Sequence, residues 1–175
     1  DGSRMLVDEG HAFVELSAPT KAHVVGQPFP IVVRFGLERE FQSGSLIQLF
    51  RKQLDLPVQL QANWLDGVEE RLSLVPPAEQ PEGHHRFALG DDLSQARLAG
   101  ERVIDGESFV VYEVARWFQA DEAQALTLEP VELRYAFTSG FKQSFLGERS
   151  PTDRTDALVR SAPLELTIVP LSMAD

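Results

Sequence analysis

The chain has 175 residues, 43% of them hydrophobic and including eleven Phe, two Trp and two Tyr, which supplies the apolar area for one packed core without metals or disulfides. Its formal charge of −11, from 27 acidic and 16 basic side chains with no Lys/Arg-rich run, withholds the cations that nucleic acid or an anionic membrane surface needs from a partner. No Cys occurs, which excludes disulfides, thiolate nucleophiles and sulfur-built zinc sites, and no stretch approaches the roughly 18 apolar residues of a membrane span.

Residues 1–10 read as an N-terminal tail, 11–171 as a single domain and 172–175 as a C-terminal tail. A first strand is predicted over Ala12 to Ser17 and a second over Phe29 to Leu37, separated by the turn chemistry of Gly26-Gln27-Pro28. Ser45 suits the N-cap of a short helix over 45–54, in which Leu46, Ile47, Phe50 and Leu54 fall near helical spacing. Leu56, Val58, Leu60 and Ala62 then alternate with polar residues or Pro, the mark of a strand with one wet face. After Asp66-Gly67 come strands over Leu72 to Val75 and Arg86 to Leu89, with the Pro- and Glu-rich stretch Pro76 to Gly83 as the loop between them. Asp105-Gly106 marks a turn into Phe109 to Phe118. The clearest alternation is Val131, Leu133, Tyr135 and Phe137, and the last is Leu164, Leu166 and Ile168. With no strand-helix-strand rhythm and no internal repeat, the pattern predicts an all-β, immunoglobulin-like antiparallel β-sandwich, a barrel being the alternative.

The residues present little catalytic chemistry. His84 and His85 are adjacent, and neighbours on a strand point to opposite faces and do not readily share a metal, so the two read as a solvated loop pair, with His11 and His23 as surface or edge residues. Asp91-Asp92 and Asp153 to Asp156 lack the spaced ligand ladder of a calcium loop. Neither a nucleophile elbow nor a Gly-rich phosphate cradle occurs. No catalytic, cofactor or metal residue is therefore assigned. Tyr135, following Pro130, suits the buried tyrosine of a sandwich corner. The 19-residue polar segment Thr138 to Asp156 carries Phe141, Phe145 and Leu146. Long loops of this kind are usually functional or disordered, and these three residues form the candidate partner-binding loop, the alternative being a small hairpin folded over the core.

Four segments, Phe109 to Arg116 (FVVYEVAR), Leu128 to Tyr135 (LEPVELRY), Arg160 to Leu171 (RSAPLELTIVPL) and Ser17 to Phe29 (SAPTKAHVVGQPF), together resemble the BatD-like aerotolerance family of bacteria. The likeness covers the first 37 residues and the last 70, and not the middle from Leu46 to Gly106. It implies an extracytoplasmic sandwich module, periplasmic or at the cell surface, in a parent protein that continues beyond this chain to a membrane anchor. It also implies von Willebrand A-type membrane proteins as partners and no catalytic residues. Two other functions stay open from the residues. A carbohydrate-binding module would use exposed coplanar rings, for which Trp64 and Trp117 are the candidates. A hydrolase would need two close carboxylates, which 27 acidic residues do not exclude.

Overall fold

The computed structural model describes residues 6–7, 10–48, 53–67, 69–76 and 83–171. In chain order its elements are β1 (Leu6–Val7), β2 (Ala12–Ser17), β3 (Ala22–Val24), β4 (Phe29–Glu38), helix α1 (Arg39–Gly44), β5 (Leu46–Ile47), β6 (Val58–Gln61), β7 (Ser73–Val75) and β8 (His85–Leu89). They continue with β9 (Asp92–Ile104), β10 (Glu107–Gln119), β11 (Gln124–Leu128), β12 (Glu132–Phe137), β13 (Phe141–Gln143), β14 (Arg149–Pro151), β15 (Thr155–Arg160) and β16 (Leu164–Val169). A 3-10 turn over Trp64–Asp66 ends at Gly67, whose left-handed φ of 81° a side chain would oppose.

Alternation places one face of each long strand inside. Ile31, Val33, Phe35 and Leu37 of β4 are fully buried, as are Val58 and Leu60 of β6 and Leu133 and Tyr135 of β12. One layer is built from β2, β4 and β10, the second from β15, β12, β6 and β8. The strand that joins them is β9. Its first residues pair with β8 from Asp92 to Ala96, and from Arg97 to Ile104 it pairs with β10. The return into β10 is the two-residue turn Asp105-Gly106, both at positive φ (50° and 83°), which matches the twist of the strands it connects. A small sheet, β11-β16-β3, adds Leu126, Leu128, Leu166 and Ile168 to the same core. The molecule is an all-β sandwich in which antiparallel pairs dominate, with parallel pairing where β1 meets β15, β3 meets β16 and β6 meets β8.

The helix lies earlier than the spacing over 45–54 predicts. It runs from Arg39 to Gly44 and buries Phe41, and Ser45 closes it by donating its backbone N–H to Phe41 O (2.9 Å), a C-terminal role rather than an N-cap. Leu46 and Ile47 take the edge of β12 opposite Phe137 and Ala136, so cross-strand pairing wins over a short helix with little to bury. Phe50 lies outside the described residues. Leu54 is buried, and the Gln48 amide holds its backbone on both sides, donating to Leu54 O and accepting from Leu54 N, each at 2.9 Å. Most of the predicted loop between Pro76 and Gly83 also lies outside the described residues, and so do Asp1 to Met5 and the final four residues. Within the predicted N-terminal tail, Leu6 and Val7 pair in parallel with Ala157 and Leu158.

The outer face of the β2-β4-β10 layer has its own small cluster. Phe13 lies opposite Gly36, its ring stands 5.8 Å from that of Phe109, and the Arg102 guanidinium covers it at 4.8 Å while donating two hydrogen bonds to Glu15 (2.8 and 3.1 Å). A Cβ on Gly36 would stand 2.1 Å from the Phe13 ring, so this glycine makes room for an aromatic lid. Gly36→Ala is expected to lower stability by about 1–3 kcal/mol, the range for overpacking, read as a lower midpoint in thermal or denaturant unfolding. An unchanged midpoint would show that the ring moves aside without loss.

Candidate functional site

The segment Thr138 to Asp156 is an ordered hairpin rather than an open loop. β13 and β14 pair antiparallel, Phe141 opposite Pro151 and Gln143 opposite Arg149. At its tip Gly147 donates its N–H to Ser144 O (2.9 Å), placing Phe145 and Leu146 at the two central positions of the turn, and the left-handed Gly147 (φ 89°) lets the chain return. The Ser144 hydroxyl accepts from the N–H groups of Leu146 and Glu148 at 3.3 and 3.2 Å. Turn corners have no neighbouring strand to pack on, and the consequence is large: Phe145 is 98% exposed and Leu146 77% exposed.

The hairpin's base is clamped by Asp153. Its carboxylate accepts from the Thr138 hydroxyl (2.7 Å), the Ser139 N–H (2.8 Å) and the Ser139 hydroxyl (2.5 Å), while Thr152 donates its N–H to Gly140 O (2.9 Å). Donation from the Ser139 and Thr138 hydroxyls, then from the Ser139 N–H, holds this carboxyl below the ordinary Asp range. A depressed carboxyl stabilises the clamp above the unfolded Asp value near pH 4 and loses that contribution as pH falls through the folded value. Asp153→Ala at neutral pH, and acidification of the native chain, are therefore both expected to release amide protection at Ser144, Gly147 and Thr152 in hydrogen exchange, with strands β4 and β10 still protected. Protection surviving in the variant would remove Asp153 from this role.

Of the three candidate loop residues, Phe145 and Leu146 are together at the tip. Phe141 is not with them: it is half-buried at the base, with the Arg149 guanidinium 4.2 Å over its ring. The hairpin predicted as the alternative does form, but its tip stands clear of the core instead of folding over it. Tyr135, 1% exposed, lies with its ring 5.7 Å from that of Phe41.

The two Trp residues part company. Trp64 is 1% exposed and donates its indole N–H to Glu129 O (2.9 Å), so it belongs to the core and offers no sugar platform. Trp117 is half-buried and lines an open groove of about 650 Å³ between β7, β9 and β10. The sequence gives no warning of this groove, because it exists only where β9 leaves β10 for β8, a departure decided by pairing rather than by hydrophobic pattern.

Among the described residues, the carboxylates with displaced acidity are all held ionised. Hydrogen bonding to Arg102 lowers Glu15, that to Arg71 lowers Glu69, and that to Arg134, with Arg160 adding, lowers Glu132. Asp55 is lowered by the Arg86 N–H and guanidinium. A general acid needs the opposite displacement. Among the described residues no group of three or more His, Asp or Glu is placed to hold a metal. His11 stacks on Phe41 and His23 on Phe29, each at 4.1 Å; His85 meets Tyr112 edge-on, and His84 is exposed. Asp156 is engaged by Arg154 at 2.9 Å. Among the described residues no helix is long and apolar enough to cross a membrane.

No protein-family model, curated protein or solved structure matches the chain.

Proposed function

We propose that this chain is a non-catalytic, extracytoplasmic β-sandwich module that captures a protein partner with the tip of the β13–β14 hairpin, in a membrane-associated assembly of the aerotolerance type. The observation that carries the reading is the pair Phe145 and Leu146, exposed at 98% and 77% on a turn whose base is fixed by Asp153. Burying each such side chain in a partner's pocket contributes about 1.5–3 kcal/mol, and an ordered support spares the cost of ordering a loop on binding. Direct engagement of five lowered carboxylates by arginines, backbone or hydroxyls favours a structural use of the acidic residues over a catalytic one. The resemblance of residues 109–116, 128–135 and 160–171 to BatD-like modules supplies the partner class, membrane proteins with von Willebrand A-type domains.

The test is affinity capture from detergent-solubilised membranes of the source organism with this chain as bait. Enrichment of von Willebrand A-type membrane proteins is the expected result. Retention of glycans or cell-wall fragments alone would overturn it in favour of carbohydrate binding.

A further inference from the structure

We infer that the groove between β7, β9 and β10 binds a small organic monocarboxylate with an apolar body, and that Arg116 is the residue that holds its carboxylate.

Arg116 occupies a position meant for an apolar side chain. It lies directly opposite Ile31, which is fully buried, and it shares its face of β10 with Tyr112, Val114 and Phe118, all of them core residues. Directly paired residues of antiparallel strands project to the same face, so Arg116 leaves β10 on the core side. Its way out is a gap in the sheet. The last pair of β10 with β9 is Glu113 opposite Arg97, the first with β7 is Trp117 opposite Val75, and the edge from Val114 to Arg116 between them faces the groove.

One nitrogen of the guanidinium lacks a partner: the Nε is sealed from water and has no hydrogen-bond partner among the described residues. Every other described arginine is engaged. Nine form ion pairs, among them Arg39 with Glu101 and Arg97 with Glu113, and Arg149 lies over the Phe141 ring. A permanently charged group partly out of water is costly to keep without a counter-charge, and Arg116 has none among the described residues.

The walls say what kind of anion fits. In a chain with 27 acidic residues, no described residue lining the groove is Asp or Glu. The lining instead brings Leu74 and Leu93, 41% and 51% exposed, together with Trp117, Ser94 and Gln95. One cation matches one negative charge, which a carboxylate supplies and a phosphate dianion exceeds. The leucines and the indole would cover an aliphatic or aromatic body, and the planar fork suits a carboxylate. The same chemistry comes from a free acid or from the C-terminus of a peptide.

The experiment is a titration of the full chain followed by tryptophan fluorescence, in which Trp117 reports from the groove while Trp64 stays in the core. Octanoate is compared with 1-octanol on the native chain, and octanoate is repeated on Arg116→Gln. The expected result is saturable binding of octanoate, at least tenfold weaker binding of octanol, and at least tenfold loss in the variant with its melting temperature unchanged or raised. Octanol binding as well as octanoate, or neither binding, overturns the inference on the native chain alone, whether or not the variant folds. A blocked tripeptide ending in Leu-Leu, with a free carboxylate and as its amide, separates the sources. Tighter binding of the free-carboxylate peptide than of octanoate points to a chain terminus, and tighter octanoate supports the small acid inferred here. Equal binding of the acid and amide peptides counts against Arg116.

Discussion

Phe35→Ala lowers the stability of the chain by about 3–5 kcal/mol, the cost of removing a large aromatic side chain from a sealed site. Phe35 has no exposed surface, and its ring stands 5.6 Å from that of Phe87 and 5.7 Å from that of Tyr112. Phe87 is on β8 and Tyr112 on β10, so the three rings tie one layer of the sandwich to the other. Removing the central ring leaves a cavity that two strands of one layer and one of the other cannot close together, because each is fixed by its own ladder. Against a typical total of about 5–15 kcal/mol, that loss is a large share, and for a domain of this size it corresponds to roughly 6–20 °C in melting temperature. Urea denaturation with the slope held constant gives the value directly. A loss below about 1 kcal/mol would mean the two layers do not meet at Phe35 as described.

The second large effect is on binding and leaves stability alone. Replacing both Phe145 and Leu146 with Ser removes two side chains that touch almost nothing in the free molecule, so the melting temperature is expected to hold within the range of ordinary surface substitutions, about 0.5 kcal/mol. If both anchors are buried by the partner, losing about 3 kcal/mol between them weakens capture on the order of a hundredfold. Phe141 belongs in a separate variant, because its ring lies beneath Arg149 and Phe141→Ser disturbs the hairpin's base as well as any contact. A double-serine variant that binds normally would take the tip out of the interface. One that melts early would show that the tip is part of the fold.

What the sequence made legible follows from which strands bury a face of their own. Ala12–Ser17, Phe29–Glu38, Val58–Gln61 and Glu132–Phe137 alternate because each lays every second side chain into the core, and they are readable for that reason. β9 is thirteen residues long and buries only Ala96, so its sequence carries no period; it is a strand because β8 and β10 offer it edges. β15 was hidden next to the polar hairpin, although Ala157 and Leu158 lie in the core. The helix was displaced because Leu46 and Ile47 look equally apolar on a helix or against β12, and only the waiting edge of β12 decides. The exposed pair at the hairpin tip was legible as a polar loop with apolar residues in it, and its division into a covered Phe141 and a bare Phe145 and Leu146 depends on the Gln143–Arg149 register, which no local pattern reveals. Arg116 was unreadable as a site, since an arginine between Ala115 and Trp117 becomes unusual only once Ile31 is seen opposite it.

The most direct measurement of the tip's role is photo-crosslinking from a benzoylphenylalanine placed at position 145, with the same group at position 103, where Val103 is also exposed (70%), as the control. In membranes of the source organism, position 145 is predicted to yield a discrete adduct with a von Willebrand A-type membrane protein that position 103 does not give. Identical products from both positions, or none from position 145, would contradict capture by the hairpin tip.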